Sequence, residues 1–138
     1  MAEKVNARHL TPAAFSTRPD LATVDVSFIS LEKVLPPVIA CLEPSSEVVA
    51  LVKPQFEVGR GRVGKGGVVR DSAQHRAVLI RLARFTLLSG WHVLGAAASP
   101  LKGPKGNREF FLHLSLAGRT PPALESLIAS VVNEGVAP

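Results

Sequence analysis

Between Ala22 and Val52 the apolar residues change period twice, and this restricts the possible folds more than any other feature of the chain. Residues 22–28, A-T-V-D-V-S-F, are a short β-branched run that reads as a buried strand. Leu31, Val34, Leu35, Val38, Ile39 and Leu42 then recur at the spacing of one helix face, with Ser30 placed as its N-cap. Glu47 to Val52, E-V-V-A-L-V, returns to strand character. A helix-length crossover between two strands makes them parallel neighbours, since a tight turn cannot join parallel strands. Pro36 and Pro37 interrupt the helical stretch. An interior proline costs roughly 3 kcal/mol, so a first turn, a kink and a second segment beginning at the prolines are expected.

After Val52 the stretch P-Q-F-E-V-G-R-G-R-V-G-K-G-G-V-V is too rich in glycine and cations to be expected to pack. Loops longer than about 12 to 15 residues are usually functional or disordered. Asp71 with Gln74 has the form of a capping box, opening a helix whose apolar line is Ala77, Ile80, Ala83 and Leu87 and whose stop is Gly90. Arg76, Arg81 and Arg84 fall off that line, on the solvated side. Strands over 91–97 and 109–116 and a helix over 121–134 complete the order β-α-β-α-β-β-α. That order indicates an α/β fold, a parallel sheet ending in an antiparallel hairpin and flanked by helices. With 138 residues, 46% of them hydrophobic, the chain can bury a core as one domain, residues 1–138.

Sixteen Lys and Arg against eleven Asp and Glu give a formal net charge of +5. The excess gathers over residues 53–84 and 102–108, a field that favours encounter with polyanions, nucleic acid first among them. Cys41 lies among Val38, Ile39, Ala40 and Leu42 and reads as a small buried hydrophobe, not as a disulfide partner or metal ligand. A reducing compartment, no metal and no membrane span are expected, because neither an 18-residue apolar run nor a signal-peptide core is present. The cytoplasm is the expected location.

Two glycine motifs in the long loop fail on chemical grounds. Gly59 to Gly64 satisfies G-x-G-x-x-G, but the next helix begins only near Asp71, whereas a dinucleotide turn must open directly into a helix N-terminus. Gly59 to Lys65 fits G-x-x-x-x-G-K, yet Gly66 stands where a P-loop needs the hydroxyl that holds Mg²⁺. The loop reads instead as a flexible basic lid, with Arg60, Arg62 and Lys65 available to phosphates.

Asp25 on an apolar strand needs a cationic or hydrogen-bonding partner or an open strand end, because an unpaired buried carboxylate costs several kcal/mol. Lys53, at the equivalent end of the next parallel strand, is that partner, and a structural ion pair is the rival explanation. Glu109 reaches the same rim if its strand inserts antiparallel beside the Lys53 strand. Carboxylates alone around a lysine favour its ammonium form, which anchors an alkoxide well but is a poor base. A cation that would oppose this is missing from the set.

The strings V-D-V-S-F-I-S-L, L-V-K-P-Q-F-E-V-G, K-G-G-V-V-R-D and S-P-L-K-G-P-K-G-N-R-E-F-F-L-H-L resemble the TlyA, or hemolysin A, group of FtsJ-like rRNA 2'-O-methyltransferases. The resemblance runs from Val5 to Leu116. It implies the C-terminal half of a Rossmann-like sheet, S-adenosyl-L-methionine as methyl donor, and a cytidine ribose in 16S/23S ribosomal RNA as acceptor. Asp25, Lys53 and Glu109 match the aspartate, second lysine and glutamate of the family's Lys-Asp-Lys-Glu tetrad. Arg60, Arg62, Lys65, Lys102, Lys105 and Arg108 become candidate RNA contacts. The family's S4-type RNA-binding domain, first tetrad lysine and glycine-rich donor loop have no counterpart in the sequence, so the cofactor-binding residues are left unassigned. The implied partners are ribosomal RNA or ribosomal subunits, and the missing N-terminal half or a second chain. A non-catalytic basic RNA-interacting or assembly fragment is the alternative.

Overall fold

The computed structural model describes residues 6–59 and 61–134. Strands β1 (Leu21–Val24), β2 (Glu47–Val52), β3 (His92–Ala98) and β4 (Phe110–Ser115) form one sheet in the order β1-β2-β4-β3. Helices α1 (Leu31–Ala40), α2 (Ser72–Leu88) and α3 (Leu124–Asn133) complete the expected element order. β1 and β2 are parallel, with Thr23 opposite Val49. β4 runs antiparallel between β2 and β3, pairing Leu51 with Phe111 and Val52 with Phe110. The start of β4 therefore lies on the same rim as the ends of β1 and β2.

The sheet has one packed face. Val24, Val48, Ala50, Val52, Phe110, Leu112 and Leu114 join the buried sides of all three helices in a single core. The alternate residues face the other way, and Leu21, Thr23, Val49, Leu51, Phe111 and Ala97 are exposed or half-buried. Parallel strands are ordinarily covered on both faces. Among the described residues no α-helix covers the second face, and β1 pairs with β2 alone. No described helix is long and apolar enough to cross a membrane.

Several local expectations are corrected. The first strand ends at Val24 and not at Phe28: its pairing with β2 stops at Val24 opposite Ala50, and the chain then bends over residues 27–29, with φ +63° at Phe28. α1 is one helix through both prolines, with no break. Pro36 is exposed and Pro37 half-buried, while Leu31, Val34, Leu35, Val38 and Ile39 are buried. The carbonyls of Glu32 and Lys33, which lose their helical donors to the prolines, lie on the wetter side, and the continuous apolar face holds the helix together.

On α2 the buried line is His75, Val78, Leu79, Leu82, Ala83 and Thr86, while Ala77 and Leu87 are exposed and Ile80 is half-buried. Two polar residues belong to the buried side because each has a local backbone partner. His75 Nε2 lies 2.8 Å from the Val69 carbonyl, and the Thr86 hydroxyl donates to Leu82 O at 2.8 Å. Asp71 caps α2 by accepting from Ala73 N–H, but Gln74 donates to the Arg62 carbonyl and not back to the cap. Gly90, at φ +88°, stops the chain just beyond the helix. Cys41 is buried and unpaired, its thiol directed at the Pro37 carbonyl.

The long loop after β2 is anchored, contrary to the unpacked lid expected. It contains two 3-10 turns, Pro54–Phe56 and Lys65–Gly67, and buries Pro54, Glu57, Val68 and Val69. Its buried apolar residues and one carboxylate anchor it, and Gly64 permits the close approach of the Val68 carbonyl, which a Cβ there would block.

Candidate active site and nucleic-acid interface

Three chain segments meet at the rim where β1 and β2 end and β4 begins. β1 delivers Asp25 one residue past its last pair, β2 delivers Lys53 in the same way, and Glu109 directly precedes β4. Lys53 Nζ lies 2.6 Å from Asp25 Oδ1 and donates to Ser27 Oγ at 3.1 Å. An ammonium has three N–H donors, and these contacts occupy two. The Lys53 side chain is only 13% exposed whereas that of Asp25 is 66% exposed, so the pair is shielded at the lysine and open to solvent at the carboxylate.

Glu109 is buried on the same rim but is not ion-paired with Lys53. Its Oε2 accepts from Gln55 Nε2 at 3.1 Å, and its carboxylate fills the space where a side chain on Gly103 would have to go. Gln55 Oε1 is buried with no partner among the described residues. The structure thus joins Asp25 and Lys53 directly and brings Glu109 to the same edge through the Gln55 side.

Glu57 was not anticipated as an organising residue. Its Oε1 accepts from Leu31 N–H at 2.8 Å, and its Oε2 accepts from the Ser30 hydroxyl at 2.7 Å and from Arg81 at 2.5 Å. Burial pushes the carboxyl above its ordinary range, against the opposing pull of Leu31 N–H, Ser30 and Arg81. This one side chain clips the Lys53 turn to the N-terminus of α1, and hence to the loop that carries Asp25 and Ser27. Nothing in P-Q-F-E signals it, because its partners lie 26 and 24 residues away.

Phe28 projects from that loop, 89% exposed, with its ring centroid 4.8 Å from that of Phe56. A non-glycine residue at φ +63° is uncommon, and rarer still for a bulky side chain. The two rings border a cleft of about 690 Å³ that Arg8, Ser27 and Lys33 also line.

The basic candidates divide by their surroundings. Arg62, Lys65, Lys102 and Lys105 are exposed. Arg60 lies outside the described residues. Arg108 donates to the carbonyls of Val132 at 2.6 Å and Glu134 at 2.7 Å and lies 5.1 Å from the Phe110 ring, so its guanidinium is engaged with the end of α3. On α2, Arg81 pairs with Glu57 and Glu32, and Arg84 pairs with Glu125.

Residues 1–116 match the family described as FtsJ-like methyltransferase. This chain belongs to that family. It is 45% identical to the 16S/23S rRNA (cytidine-2'-O)-methyltransferase TlyA of Mycobacterium tuberculosis over 136 residues, which cover 96% of this chain and 51% of that protein. Hemolysin A of Brachyspira hyodysenteriae is 36% identical over 112 residues, 80% of this chain and 47% of that one. A crystal structure from Lactococcus lactis, of a protein carrying a hemolysin name, superimposes with a TM-score of 0.89 at 39% identity, over 96% of this chain and 64% of its own. The chain spans about half the length of the curated relatives it matches.

Proposed function

We propose that this chain supplies the acceptor side of an S-adenosyl-L-methionine-dependent 2'-O-methyltransferase acting on cytidine ribose in ribosomal RNA. The observation that carries the reading is the shielded Lys53 held by Asp25 and Ser27 at the carboxyl ends of parallel strands, in a member of the FtsJ-like family. With two donors fixed, the third N–H of Lys53 can orient a ribose hydroxyl. Exposed Asp25 holds the lysine from the solvent side, and Glu109 with Gln55 forms the opposite polar wall. Phe28 beside Arg8 and Lys33 suits a stacked nucleobase with its phosphate nearby.

The described residues do not by themselves fit the methyl donor. Gly59 and Gly61 lead into a 3-10 turn and not into a helix N-terminus, which comes only at Ser72. The donor site is assigned to the preceding half that the family resemblance implies. The uncovered sheet face and the unpaired edge of β1 support that partner, since both need further secondary structure. A ribosomal substrate supports a cytoplasmic location. Joined to such a half, the chain is expected to methylate rRNA. Lys53→Ala should then lower the rate at least about 100-fold, the scale of a positioned proton-transfer group. Activity equal to the parent in that variant overturns the assignment.

A non-catalytic RNA-binding role is the second reading, favoured by the basic loops being ordered without a donor site. Salt-sensitive RNA binding by the 138-residue chain, with no methylation after the preceding half is restored, would select it.

A further inference from the structure

Asn107 is 2% exposed and lies between the two basic loops, with both ends of its amide in use. Oδ1 accepts from Val69 N–H at 3.0 Å, and Nδ2 donates to Gly67 O at 2.9 Å and to Pro104 O at 3.1 Å. The first two partners belong to the loop between β2 and α2, 38 and 40 residues away in sequence, and the third to the loop between β3 and β4. The Asn107 backbone also closes its own loop, accepting from Gly103 N–H at 2.7 Å and donating to Pro104 O at 3.2 Å. Within that closed loop Lys105 sits at φ +60°, a conformation a lysine seldom adopts unless its surroundings impose it.

Outside this joint Lys65, Arg70, Lys102 and Lys105 are each exposed. Arg70 donates to the Lys65 carbonyl at 3.1 Å, and the Lys105 side chain crosses Gly67, where a Cβ would sit 3.4 Å from Nζ. Lys65, Arg70, Lys102 and Lys105 take part in none of the ion pairs among the described residues. Their charge is left for an external anion.

We infer that Asn107 welds the two loops into one preformed surface for an RNA phosphate backbone, with Lys65, Arg70, Lys102 and Lys105 as its contacts. This rests on the RNA-directed reading above and adds Arg70 as a contact and Asn107 as the positioning residue. Fixing both loops before binding removes the ordering cost that separate loops would incur.

The test is a fluorescence-anisotropy titration of the full chain with a labelled single-stranded RNA of about 20 nucleotides across a salt series. Four phosphate contacts correspond to a slope of log K against log salt near roughly −2.8. Asn107→Ala frees the loop carrying Lys102 and Lys105, so the slope should become shallower by about 1.4 and the affinity at moderate salt should fall about tenfold. A parent chain that does not bind overturns the RNA-directed reading itself. Binding by the parent with unchanged affinity and slope in a folded Asn107→Ala overturns the role of Asn107 alone. If circular dichroism shows that the variant does not fold, hydrogen exchange on the parent chain decides. Val69 N–H should then be strongly protected, and exchange at the rate of an exposed amide overturns the weld.

Discussion

His75 is buried with Nε2 against the Val69 carbonyl, while Nδ1 is buried without a partner among the described residues. Burial lowers its proton affinity below the ordinary value of 6.5, nearby Arg108 adds to this, and Val69 O and Asp71 oppose it without prevailing. Below pH 6.5 the unfolded chain therefore binds a proton before the folded one does, so stability falls as pH drops from there through the lowered folded value. Urea midpoints measured across that window should decline for the parent and decline less for His75→Phe. Equal declines in both would remove His75 as the cause. Gly103→Ala should cost about 1–3 kcal/mol in the same assay, because its methyl would overlap the Glu109 carboxylate. Asp25 and Lys53 were legible because each is a lone charge at the end of an apolar run. Gln55 and Glu57 were not, since their partners come from remote segments; Asn107 stood out beside the motifs, but its bonds to Val69 and Gly67 could not be read there.

The two long helices show how local patterns and tertiary burial compete. α1 keeps its prolines inside one helix because five buried side chains hold the apolar face. Pro36→Ala restores an N–H on the exposed side and should raise stability by about 1–3 kcal/mol, read from denaturant midpoints. α2 was legible in its start and stop but not in its facing, because His75 and Thr86 count as polar in a sequence and are buried here. Asp71→Ala should cost about 1 kcal/mol through loss of the cap on Ala73 N–H, with no change in the sheet by circular dichroism. The element order was readable from changes of period. The insertion of β4 between β2 and β3 was only a condition until the register fixed it.

Across the molecule, the helices share one face of the sheet, and Leu21, Val49, Leu51 and Phe111 lie on the other. The 138-residue chain alone should bind a hydrophobic dye and associate with rising concentration, and Leu21→Lys should reduce both signals. A dye-silent monomer in sedimentation would show that this face is satisfied without further cover. The net charge of +5 was legible as a preference for polyanions, but the division of its cations between ion pairs and open loops was not. The outer edge of β1 also has an engineering consequence. It is a seam parallel to the strands that cuts across none of the sheet's other pairings, including the β3–β4 hairpin. If the proposed preceding half pairs at that seam, an enzyme of this family divided there is expected to lose activity as two pieces and regain it when fused partners bring the pieces together, the behaviour of a split reporter.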